Sequence, residues 1–438
     1  SVDAAYGTLN LDAGFFERGG FADFSLTALA HLTVADGTQI EPTVLSLDLL
    51  PEYTLRSTSS RVDDFARRVK LDDQVRQAAN LTLSAKQSGA GTGDIVIGAG
   101  SRIQVDPKAS IKLEARNKID IEGELVAHGG TISATLDRSS GLVSQALNQN
   151  PIWLGNQAVL DVSGIARTYT DNHALVQGEV VAGGTVNLNA KTGYVVTTAG
   201  SRIDVSGATP VRLDTRNEAG GLGRMVGSDA GTLNVFAEEG MILDGALAAG
   251  AGSASNRGGN FSATLSKNAR LEGQTAFDSQ NRVLSLAQTV APQATGLNAD
   301  SAIPDASPIR ARISADTLEQ AGFDRIALSS RDAIQLENGL NLGANRTLPL
   351  REVKLDAARI ETLGGNAAIG ADAVLLGNYD GYRLGGDGAY SASGTFTANA
   401  RLLELAGNLR LRGMASSTLN GSEEVRLSGT TVATAPAR

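Results

Sequence analysis

The residues able to do chemistry are few and widely spaced. The chain has 438 residues, three histidines and no cysteine, which excludes disulfides, thiolate metal sites and a cysteine nucleophile. His31, His128 and His173 lie far apart, and none has a metal-ligating neighbour three or four residues downstream, the spacing that sets two ligands on one helix face. They read as turn or surface histidines. Adjacent carboxylates occur at Asp63 and Asp64, Asp72 and Asp73, and Glu238 and Glu239; a calcium site or a general acid and base would draw on such pairs. Neighbours in a strand point to opposite faces, and two of the pairs fall on a segment with helical spacing, so all three read as solvated. The glycine-rich stretches 220–229 and 384–390 lack the tandem aspartate pattern of calcium-binding nonapeptides. No GxSxG, HExxH or P-loop is present. No catalytic residue, metal ligand or cofactor is expected. Aromatic rings on polar loops stack on sugars or fill a partner's pocket. By that criterion Trp153 in NPIWLGN, and Tyr379, Tyr382 and Tyr390 in NYDGYRLGGDGAY, are the expected glycan or partner contacts.

The scaffold holding these residues shows in composition. Glycine fills 51 positions and proline 10, aromatics make up 4% and charged residues 19%, the last below the roughly 25% of ordinary globular domains. This argues against helical bundles, and a 42% apolar content argues against disorder. No apolar run approaches the roughly 18 residues of a membrane-spanning helix. The net charge is −9, with the basic residues scattered, so nucleic acid is not an expected partner. Ser1 is followed by neither a basic nor an apolar leader region, and the chain reads as a piece of a longer polypeptide.

Internal repetition sets the architecture. Residues 93–117 align without a gap on 193–217, and Gly100, Ser101, Arg102, Ile103 and Val105 recur as Gly200, Ser201, Arg202, Ile203 and Val205. IEGELVA, from Ile121, then returns as LDGALAA, from Leu243. The shift grows from 100 to 122, so a unit near 218–239, containing GTLNVFA, reads as one extra coil. Residues 19–40 align on 321–342, bringing Phe21, Leu26, Leu32, Val34, Gly37 and Ile40 onto Phe323, Leu328, Ile334, Leu336, Gly339 and Leu342. Short alternating strands turned by glycine and asparagine predict an all-β, right-handed parallel β-helix. Some 15 to 18 rungs would give a rod on the order of 75 Å long. Coils are expected over 1–58, 81–287 and 313–438.

Between the coils, 59–80 predicts an amphipathic helix, with Val62, Phe65, Ala66 and Val69 on one face. Residues 288–312 read as a loop or a joint between rod segments, 139–157 as a further excursion, and 314–323 as one or two helical turns.

The stretches 80–115, 183–207 and 313–342 resemble the filamentous haemagglutinin-like exoproteins of Gram-negative bacteria, exported by two-partner secretion. The resemblance implies a secreted or cell-surface, non-catalytic adhesive shaft. It also implies an outer-membrane transporter as the partner in export, and a host-cell or matrix glycan or protein as receptor. A carbohydrate-active β-helix enzyme and the shaft of a contact-dependent toxin are the alternatives. The family's NPNG-like secretion element is absent; NQNPIW, at 148–153, stands in a different context.

Overall fold

The computed structural model describes residues 2–3, 7–18, 20–86, 92–137, 150–214, 223–266, 281–304, 308–344, 349–381 and 392–429. These are mostly β, and the strands join chiefly in one large parallel sheet, with a smaller six-stranded parallel sheet beside it. Alternation in the sequence explains the pairing. In TISATL and TVNLNA every second residue is buried, and pairing in register sets each buried residue on its equivalent in the next strand. Phe24, Leu81, Ile111, Ile132, Val186, Leu233, Phe261, Ile326, Val353, Val374, Leu403 and Val425 thereby form one unbroken column of Cα partners. On the opposite face asparagines link rungs: Asn187 donates to Ser133 at 3.2 Å and Asn234 to Asn187 at 2.9 Å. Among the described residues the twelve strands of the column span about 50 Å; hairpins and a long surface segment take up further chain.

The aligned repeats coincide in part. Gly37 and Gly339 both adopt positive φ, 69° and 81°, after strands ending in Val34 and Leu336. Gly100 and Gly200 differ: Gly100 has φ 67°, whereas a Cβ on Gly200 would lie 2.5 Å from the Asn156 carbonyl oxygen. One glycine satisfies a turn and the other a close approach.

Several expectations are corrected. Residues 59–80 form no amphipathic helix. Val62–Asp64 is a single 3-10 turn, and Ala66–Val69 pairs antiparallel with Ser46–Leu49. A short helix without a packed face is marginal in water; here Val62 is exposed, while the cross-strand pairing satisfies the backbone and places Arg67 2.9 Å from Asp48. The insertion near 218–239 is not a whole coil. GTLNVFA is an ordinary ladder strand, Thr232–Ala237, paired with Thr185–Ala190, and before it Val211–Leu213 pairs antiparallel with Arg224–Val226 as the two strands of a hairpin; 215–222 lie outside the described residues. A third hairpin joins Ala166–Thr170 to Val176–Val180. Residues 151–154, taken as part of an excursion, form a ladder strand; 138–149 lie outside the described residues. The described residues of 288–312 make no joint, because Gly259–Leu265 pairs directly with Phe323–Leu336, and the stretch ends inside the strand Ile309–Ser314 instead of in a loop; 305–307 lie outside the described residues. The helical turns arrive as expected: Ala315–Ala321 is α-helical, capped by the Ser314 hydroxyl accepting from the Thr317 amide.

The two ends of the ladder differ. At the first rung the 3-10 helix Ala13–Glu17 seats Phe16 on Phe24, ring centroids 5.4 Å apart. At the last, Val425 and Leu427 extend the interior columns yet are 53% and 78% exposed. Among the described residues the outer edge of Ser416–Ser428 has no partner strand, and such edges recruit further strands. Leu427→Lys is expected to weaken self-association by at least about tenfold, since burying a leucine contributes about 1.5–3 kcal/mol. Sedimentation velocity over a concentration series would check this; an unchanged profile counts against edge pairing.

Candidate functional site

The most chemically furnished surface is a polar groove of about 560 Å³ where the segment following Ala66–Val69 meets the edge of the six-stranded sheet. Glu41, Lys70, Asp72, Asp73, Arg76, Asp106 and His128 line it. Asp106 follows strand Arg102–Gln104 in a tight turn, which turns its carboxylate onto the Arg76 guanidinium in a two-point contact. The same carboxylate accepts the Ala79 amide at 3.2 Å, tying the excursion to the sheet. Asp73 pairs with Arg167 at 3.2 Å, Arg167 with Glu179 at 2.8 Å, and Glu179 with Lys108 at 2.6 Å. Lys70 pairs with Glu41 at 3.1 Å. The Gln74 amide holds the Asp72 carboxyl below its ordinary range, and Lys108 does the same for Glu179.

This arrangement sets charged hydrogen-bonding groups of both signs along one groove. Burial raises the carboxyls of Asp120, Glu122, Asp324 and Asp356, elsewhere in the molecule. His128 offers no relay. Its Nδ1 lies 3.3 Å from the Ser163 hydroxyl and 3.6 Å from Asp161, so both neighbours meet one ring nitrogen, whereas a nucleophile and its orienting acid must use different ones. Among the described residues no group of three or more histidines or carboxylates is placed to hold a metal, and no helix is long and apolar enough to cross a membrane.

Of the aromatic contacts expected from the sequence, the described ones, Trp153 and Tyr379, lie in separate surroundings. Trp153 is only 2% exposed, in strand Pro151–Leu154 beneath segment 288–304, because its side chain points out of the sheet into an apolar cover of Ala294, Ala299 and Ile303. It presents no ring to a ligand. Tyr379 is half-buried; Lys354 Nζ lies 4.3 Å from its ring centroid and its hydroxyl donates to Glu404 at 3.3 Å. Burial, with Glu404 alongside, pushes the phenol upward. Tyr382 and Tyr390 lie outside the described residues.

Sequence reasoning missed a buried ionic group. Glu239, expected to be solvated, is buried against Arg282 at 3.0 Å and Arg310 at 3.5 Å, and Arg310 also donates to the Tyr194 hydroxyl at 3.3 Å. The available signal was the lone arginine abutting the apolar run VLSLA at 283–287. Compared with known proteins, the chain matches no protein-family model, no curated protein and no solved structure.

Proposed function

We propose that the chain is a right-handed parallel β-helix acting as a non-catalytic shaft of a secreted bacterial adhesin of the filamentous haemagglutinin-like kind, exported through an outer-membrane transporter and displayed at the surface of a Gram-negative cell. The observation that carries the reading is the inheritance of one apolar column through twelve parallel strands. A scaffold built this way gains length by adding strands to an existing core, without a new one for each segment. Its hairpins and the polar groove then supply lateral surface for a host-cell or matrix glycan or protein.

Binding of the purified chain to glycan and host-protein arrays tests the proposal. Retained binding that falls on Lys70→Ala with Asp72→Ala, at unchanged circular dichroism, supports display from the groove; absence of binding to any glycan, matrix protein or cell surface overturns the adhesive reading. The convergence of acids and bases in the groove favours one second reading, a carbohydrate-active enzyme. Release of reducing ends or unsaturated products from acidic or neutral polysaccharides would replace the shaft proposal with it.

A further inference from the structure

Segment 288–304 crosses the outer face of the large sheet instead of looping into solvent. Asp244 Oδ2 accepts the Gln293 and Ala294 amides, each at 2.7 Å, which anchors one end. From there the segment climbs across the strands, and Ala294, Ala299 and Ile303 pack on Ile242, Val196, Tyr194 and Trp153. These rest on successive rungs, since Trp153 pairs with Val196 and Val196 with Ile242. The next rung holds Asp120, the Cα partner of Trp153, and there the far end is closed by an ion pair between Asp300 of the segment and Lys118 of the sheet.

Asp120 sits at this closure in an unusual state. Its side chain is 16% exposed, its Oδ2 lies 3.9 Å from Lys118 Nζ, and its Oδ1 is buried without a hydrogen-bond partner among the described residues. The charged groups facing it are Lys118 and Glu122 on its own strand and the following turn, Asp94 on the neighbouring strand and Asp300 on the segment. Asp120 thus faces one cation and three other carboxyls. With Asp120 neutral, Lys118 is available to Asp300; with Asp120 ionised, it competes for Lys118 and repels Asp300.

We propose that 288–304 is a releasable strap whose closure over Trp153 tightens as the pH falls through the mildly acidic range, with Asp120 as the sensor and the Lys118–Asp300 pair as the latch. Burial raises the Asp120 carboxyl from 3.8 to about 6. The closed strap disfavours the charged form, so closure is unpenalised below the ordinary carboxyl range, and the penalty grows between 3.8 and about 6 and is complete above it. Opening frees Asp120 to water.

The protein carries its own reporter, since Trp153 is the only tryptophan and lies under the strap. Acrylamide quenching of its fluorescence between pH about 4.5 and about 7.5 reads the opening. In the unsubstituted chain the closed-to-open ratio is expected to fall about tenfold or more across this range, and quenching to rise with it. Asp120→Asn is expected to flatten the profile at its low-pH level, and Asp300→Asn to raise quenching at every pH. Glu122, whose carboxylate accepts from the Trp153 indole, is controlled by Glu122→Gln, which should keep the profile. A flat profile in the unsubstituted chain, a profile that survives Asp120→Asn, or one abolished only by Glu122→Gln overturns the proposal.

Discussion

Arg282→Ala is expected to lower the unfolding free energy by about 3–5 kcal/mol, the cost of leaving a buried charge without its partner. The Arg282 side chain is 0% exposed. Its Nη2 meets Glu239 at 3.0 Å and its Nε donates to the Glu238 carbonyl at 2.5 Å. Its backbone carbonyl accepts from the Ser330 hydroxyl, and its amide donates to Asp332 at 2.6 Å. Removing the guanidinium leaves Glu239 with Arg310 as its nearer cation at 3.5 Å, and opens a void at the junction of Val283–Ala287 with Phe323–Leu336. Replacing the whole group, Arg282→Met and Arg310→Met with Glu239→Leu, should recover much of the loss, because apolar groups of similar volume then leave no ion of the three buried without its partner. Urea unfolding followed by circular dichroism checks both variants. A single-substitution loss below about 1 kcal/mol would place the pair among screened surface contacts.

The columns were legible because alternation survives in each strand taken alone. NLTLSA, SIKLEA, TISATL, TVNLNA and TLNVFA carry apolar residues at the same alternate places, and the structure stacks them in that order. The strap was not legible from its own residues, since Ala294, Leu297, Ala299 and Ile303 follow no period. The signal lay in the strands beneath it. PIWL and YVVT are buried at all four positions, the continuous apolar run of strands covered on both faces. Reading 139–157 as an excursion placed Trp153 on a polar loop instead. The excess between the two GSRI repeats was correctly sized but wrongly placed. VRLDTRN, at 211–217, copies the letters of IKLEARN, at 111–117, yet Val211–Leu213 forms a hairpin strand, and it is Thr232–Ala237 that takes the ladder position of Ser110–Ala115. A ladder selects whichever segment alternates over a full strand; in 211–213 the apolar residues are only partly buried, whereas Leu233 and Val235 fill the column.

Gly184→Ala is expected to destabilise the chain by about 2–4 kcal/mol, although its backbone conformation is open to any residue. The constraint is a stack of backbones. A Cβ on Gly130 would lie 2.0 Å from the Ala109 carbonyl oxygen, one on Gly184 2.1 Å from that of Gly130, and one on Gly231 1.9 Å from that of Gly184. Those same carbonyls accept the ladder hydrogen bonds: Thr131 to Ala109 at 3.0 Å, Thr185 to Gly130 at 2.9 Å and Thr232 to Gly184 at 2.9 Å. A methyl group at 184 therefore has no flexible side chain to displace. It must push the Gly130 carbonyl away from the Thr185 amide, adding a lost backbone bond of about 1 kcal/mol to overpacking strain of about 1–3 kcal/mol. Gly250→Ala is the matched control, because nothing lies within 4 Å of its Cβ position, and the reduced freedom of the unfolded chain should stabilise it by about 0.4–1 kcal/mol. Amide exchange at Thr185 and Thr232, read beside urea unfolding, separates local from global loss. If Gly184→Ala exchanges like the unsubstituted chain at both amides, the corner tolerates a side chain and the close backbone stacking is refuted.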